Sequence, residues 1–112
     1  MIKAKIKLPY PELKDKKPEE PDMKKQELTL NYVTFAVTQK YKDGLESQFR
    51  RLWARVERKF DEAILADAET VDLELGEVDF IKRAVAEAKY PVSLSKFVVV
   101  FEDELENWKE AK

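Results

Sequence analysis

The chain has 112 residues with neither cysteine nor histidine, and its 21 basic and 23 acidic side chains leave a formal net charge of −2. That length is enough for one domain with a core that needs no metal or disulfide. The missing residue types exclude disulfides, thiolate nucleophiles, imidazole bases and the commonest ligands for zinc, iron and copper.

Hydrophobic residues at 44% support a globular fold, and charged residues at 39% give it a dense ionic surface. Asn and Gln are scarce while Glu, Lys and Arg dominate, a balance like that of thermophile proteins. No apolar run reaches the roughly 20 residues of a membrane span, and no signal region opens the chain, so the expected location is the cytoplasm. Charge is unevenly spread. Residues 1–60 hold 15 basic against 9 acidic side chains and residues 61–112 hold 6 against 14, or +6 and −8. Either the halves attract each other in the fold, which is the leading account, or the asymmetry makes a dipolar surface that steers a charged partner.

Taken in order, Ile2, Ala4, Ile6 and Leu8 alternate with Lys3, Lys5 and Lys7, a period of two that predicts a β-strand with one lysine-covered face. The strand ends at Pro9 and Pro11. Residues 11–26 hold Pro11, Pro18 and Pro21 among Lys and Glu, with only Leu13 and Met23 to bury, and read as a mobile surface loop. Residues 28–41 are ambiguous. Their β-branched and aromatic content suits a strand, while Leu30, Val33, Phe35, Val37 and Tyr41 also map onto a helical face. Helix is the choice, with Thr29 as N-cap and Asp43-Gly44 as the stop.

The stretch 46–66 predicts the core helix, with Phe49, Leu52, Trp53, Val56, Phe60, Ile64 and Leu65 at steps of three and four. Its opposite face carries Arg51, Arg55 and Arg58, again three and four apart. After a loop, Val71, Leu73 and Leu75 alternate with Asp72 and Glu74 as a second strand able to pair with the first, since a lone strand is marginal. Gly76 leads into a helix over 77–90, with Val78, Ile81, Val85 and Ala88 at helical spacing, closed by Pro91. Ser93 or Ser95 then caps a last helix through Leu94, Phe97, Val98, Phe101, Leu105 and Trp108. The whole is expected to be a single α+β domain over 1–112, dominated by about four helices with a two-stranded β element, in the order β-α-α-β-α-α.

The stretch LELGEVDFIKRAVAEAKYPVSLSKFVVVFEDELE resembles small accessory proteins of tailed bacteriophages. The likeness lies in a short strand, a capped helix at Leu73, Glu77, Ile81 and Lys82, a Tyr90-Pro91 turn and a closing helix, and ELTLNYV is similar to the start of the first helix in those proteins. Gly76 and the longer core helix depart from the pattern. The resemblance implies a phage-like origin and no activity, and it transfers no functional residues.

Chemistry has little to stand on. Asp72 with Glu74, or Glu102 with Asp103 and Glu104, are carboxylate clusters that could be imagined as a magnesium site or an acid/base pair, but such clusters usually form solvated faces. Gly44 and Gly76 are the only glycines, too few for a phosphate-cradling loop. The reading is therefore no enzyme, with no catalytic, cofactor-binding or metal residue and no cofactor.

The arginine ridge has three readings. Its members could pair with Glu57, Glu62 or the acidic half; they could dock on an acidic protein surface, for which Arg and Trp are favoured anchors; or they could contact phosphates, though no nucleic-acid motif accompanies them. The expected function is a non-enzymatic protein-binding module, a phage-like regulator docking on host or viral machinery such as RNA polymerase through Arg51, Arg55 and Arg58. A virion or assembly component is the alternative, and a nucleic-acid binder the third; no membrane role is expected.

Overall fold

The computed structural model describes residues 1–8 and 28–109. The loop expected at 11–26 lies outside them. The described chain runs β1 (Ile2–Lys5), α1 (Thr29–Lys40), α2 (Ser47–Leu65), β2 (Thr70–Leu73), α3 (Leu75–Glu87) and α4 (Ser95–Glu106), with one 3₁₀ turn at Val92–Leu94 opening into α4. This is the expected α+β order of strands and helices. Among the described residues no helix is long and apolar enough to cross a membrane.

The two strands pair antiparallel, with Ile2 opposite Leu73, Lys3 opposite Asp72, Ala4 opposite Val71 and Lys5 opposite Thr70. Alternation decides the faces: Ile2, Ala4, Ile6, Leu8, Val71 and Leu73 are buried, while the lysines and Asp72 point to solvent. The pairing continues past β1, where the Ile6 amide donates to the Glu69 carbonyl at 3.0 Å and Lys7 bridges Leu28.

Residues 29–40 settle as a helix because Tyr32, Val33, Ala36 and Val37 fall on one buried stripe. Thr29 does not cap it. It is the first helical residue, fully buried, and its hydroxyl donates to the Lys5 carbonyl at 2.6 Å, tying the helix start to β1. The stop is as expected, with Gly44 at φ 107°, in the left-handed region open to glycine.

α1 and α3 make the most extensive helix pair. Their ends are joined by a reciprocal bond, the Gln39 side chain donating to the Lys89 carbonyl at 3.0 Å and accepting from the Lys89 amide at 2.6 Å. Lys40 meets Glu87 at 2.7 Å beside it. Tyr90, from the extended turn after α3, donates its hydroxyl to the Tyr32 carbonyl at 2.8 Å and stacks on Phe35.

α2 buries Val56 and Phe60 fully and Phe49, Leu52, Trp53 and Ile64 in part. Leu65 departs from expectation at 87% exposed. It lies seven residues beyond Arg58, two helical turns, and so falls on the arginine side rather than the apolar stripe. The helix closes in a Schellman motif: the Ala68 amide donates to the Ala63 carbonyl, the Asp67 amide to the Ile64 carbonyl, and Asp67 takes φ 53°.

α3 begins two residues earlier than expected, so Leu75 is its first residue, half exposed, and no longer a strand position. Two carboxylates, Glu74 at the N-cap and Glu77 at the third helical position, form a capping box that explains the start. Glu77 is buried, and its Oε1 accepts from the Glu74 amide at 2.8 Å, satisfying a backbone donor at the helix entry.

At α4 neither serine caps: Leu94 holds the N-cap position, and Ser95 instead donates its hydroxyl to the Val92 carbonyl of the 3₁₀ turn. FVVVF is helical because its burial follows the helical period, with Phe97, Val98 and Phe101 inside and Val99 outside. Trp108, just past the helix end, is 1% exposed and meets Phe101 edge-on.

Candidate functional site

The candidate site is the outer face of α2. Nineteen residues make a rod about 28 Å long. Burial of Val56 and Phe60 fixes its rotation, so Arg51, Arg55 and Arg58 project together into solvent, spanning about 10 Å of the axis. All three are exposed, on the face opposite Trp53 and Phe60 as the spacing predicts.

Part of the charge elsewhere is paired. The ion pairs among the described residues are Lys5 with Glu104, Lys7 with Asp67, Lys40 with Glu87 and Lys59 with Glu77. Each joins a base from residues 1–60 to an acid from residues 61–112. These four contacts draw the two halves of the sequence together, and Arg51, Arg55 and Arg58 take no part in them. Among the described residues none of them has an ion pair or hydrogen bond. Arg50, on their flank, donates to the Leu45 carbonyl at 3.3 Å. Glu57 is no partner for the ridge either: its carboxyl is pushed above the usual range by burial first and by neighbouring Asp61 second.

At its ends α2 carries charge that opposes its dipole, with Arg50 in the first turn and Glu62 in the last. α2 has no acid in its first turn and no base in its last, and its bases crowd the N-terminal half while Asp61 and Glu62 lie near the C-terminus. Both placements oppose the macrodipole, at roughly 0.3–1 kcal/mol for each terminal charge. Exposed, in a row and without an ion pair among the described residues, the three arginines form a basic face on α2, with Glu62 one turn beyond Arg58.

The carboxylate clusters do not converge. Asp72 and Glu74 are exposed on the sheet's outer side and at the α3 entry, and Glu104 turns inward toward Lys5 while Glu102 and Asp103 face solvent. Among the described residues no group of three potential ligands is placed to hold a metal ion.

Two features were not legible from spacing. Tyr41, Phe49 and Trp53 gather around buried Phe80, with ring centres 5.5, 5.8 and 6.5 Å from it, so three elements meet in one aromatic stack. An open groove of about 410 Å³ runs between α3 and α4 over Val85, Ala88, Tyr90 and Leu105, flanked by Glu102 and Glu106. No protein-family model, curated protein or solved structure matches the chain.

Proposed function

We propose that this domain is a protein-binding module that performs no chemistry, and that the arginine face of α2 is its docking surface for an acidic protein partner. The observation that carries the reading is the arginine row itself: Arg51, Arg55 and Arg58 are all exposed on one face of α2 and have no ion pair among the described residues, whereas Lys5, Lys7, Lys40 and Lys59 each meet an acid of the second half. Arginine suits such a role because its planar fork takes carboxylates in pairs and it is weakly hydrated for an ion. On the resemblance alone, the partner class is host or viral machinery such as RNA polymerase, and a virion or assembly component is the runner-up.

The test is the triple variant Arg51→Glu/Arg55→Glu/Arg58→Glu. It is expected to keep the wild-type melting curve, because exposed charges contribute little to stability, and to lose the proteins that wild type retains on an affinity matrix, because reversed charges repel at an interface. Proteins retained equally by both would remove the arginine face from the reading. Retention of nucleic acid by wild type, with a steep fall as salt rises, would replace the protein partner with a phosphate backbone.

A further inference from the structure

We infer that the acidic surface taken by the α2 arginine face is the outer face of α4 on a second copy of this chain, docked antiparallel. The inference rests on the reading of the arginine face above and names its partner.

α4 mirrors α2 in its charge. It has no acid in its first turn and no base in its last, with Lys96 near its N-terminus and Glu102, Asp103 and Glu106 toward its C-terminus. Each helix therefore carries charges of the wrong sign for its own dipole at both ends. Laid antiparallel, each supplies the charges the other lacks: the basic end of α2 lies over the acidic end of α4, and the two dipoles oppose.

The match extends to register. With Arg58 set opposite Val99, Arg51 comes level with Glu106 and Arg55 with Glu102, because both pairs are spaced one turn apart at four residues. Asp103 lies within one residue of the Arg55 level. At the other end Asp61 is level with Lys96, and Leu65 with Val92. Those last two are the most exposed large apolar side chains among the described residues, 87% and 90%. Every residue in the register is exposed in the single chain.

Within one chain the two faces do not meet. α2 packs on β2 and α3, whereas α4 packs on α1 and β1, and no ion pair among the described residues joins α2 to α4. A second copy is what brings them together. A two-fold arrangement makes the contact twice and closes; a head-to-tail arrangement propagates it.

Sedimentation equilibrium of the intact protein, from micromolar to millimolar concentration, is expected to show reversible association that weakens as salt rises. Arg51→Glu/Arg55→Glu and Glu102→Arg/Glu106→Arg should each weaken it by roughly a hundredfold or more, and a mixture of the two should associate again, since opposite charges then face each other. Leu65→Ser, which alters no charge, should weaken it roughly tenfold. A wild type that stays monomeric throughout overturns the self-pairing while leaving the arginine face to the affinity test above. Association unchanged in the reversed variants or in Leu65→Ser, or a mixture of two folded variants that stays apart, overturns it as well.

Discussion

Lys59 Nζ stands 2.6 Å from Glu77 Oε1, which joins the middle of α2 to the entry of α3 through a carboxylate only 1% exposed. The same oxygen accepts from the Glu74 amide, so one buried atom serves both the helix start and the inter-helix contact. Its twin, Oε2, has no hydrogen-bond partner among the described residues. A buried charge so placed depends on its cation. Lys59→Met is expected to destabilise the fold by about 2–3 kcal/mol, below the 3–5 of a fully buried pair because the ammonium keeps some water. Adding Glu77→Gln should return part of the loss, since the amide oxygen still accepts from Glu74 without a charge to strand. Urea denaturation of the two variants checks the order; equal stabilities of wild type and Lys59→Met would show the ion pair to be incidental.

Phe60 and Phe101 are both fully buried, one from α2 and one from α4. Phe101 stacks on Tyr32 at 5.2 Å and meets Trp108 edge-on, so its removal leaves partners on two sides without contacts. Phe60→Ala and Phe101→Ala are each expected to cost about 3–5 kcal/mol. Chemical denaturation measures both, and a loss below about 1 kcal/mol at either would contradict the burial described.

Alkaline pH should reveal the pair Tyr32 and Tyr90. Burial pushes Tyr32 up to about 12, and it raises Tyr90 too, with the Glu102 carboxylate and Tyr32 adding to the shift. Both folded values lie above that of an unfolded tyrosine near 10. Their contribution to stability is thus complete below about pH 10 and is lost as pH rises through the folded values. Melting temperatures should fall from pH 10 upward, and phenolate absorbance should show these two tyrosines ionising later than the ordinary value. In Tyr90→Phe the alkaline fall should be shallower, with about 1 kcal/mol lost at neutral pH from the bond to the Tyr32 carbonyl.

Asp67 holds the left-handed position that ends α2, at φ 53°. Its contact with Lys7 is 3.7 Å between exposed groups and contributes little. Asp67→Gly is expected to leave stability unchanged or raise it by up to about 1 kcal/mol, whereas Asp67→Val should lower it by about 1–3, because a branched Cβ fits that region poorly. Denaturation midpoints for the pair give the ranking; valine matching glycine would mean that the turn rearranges.

What the sequence by itself determined is everything that repeats along one element. Alternation over Ile2–Leu8 put the lysines outward, and steps of three and four on α2 set Phe60 against Arg51, Arg55 and Arg58, because side-chain direction follows from local backbone geometry alone. The same periodicity overrode the β-branched run FVVVF. Only the tertiary structure decided what lies across elements. It turned the Thr29 hydroxyl from a local cap to the Lys5 carbonyl, ended β2 before Leu75, chose Glu77 out of 23 acidic side chains for burial beside Lys59, and matched each paired lysine to an acid far along the chain. Spacing cannot encode these choices, since they depend on which surfaces meet when the helices pack. The arginine face belongs to both levels: its geometry is a property of one helix, but that Arg51, Arg55 and Arg58 have no ion pair among the described residues is known only from how the other elements pack.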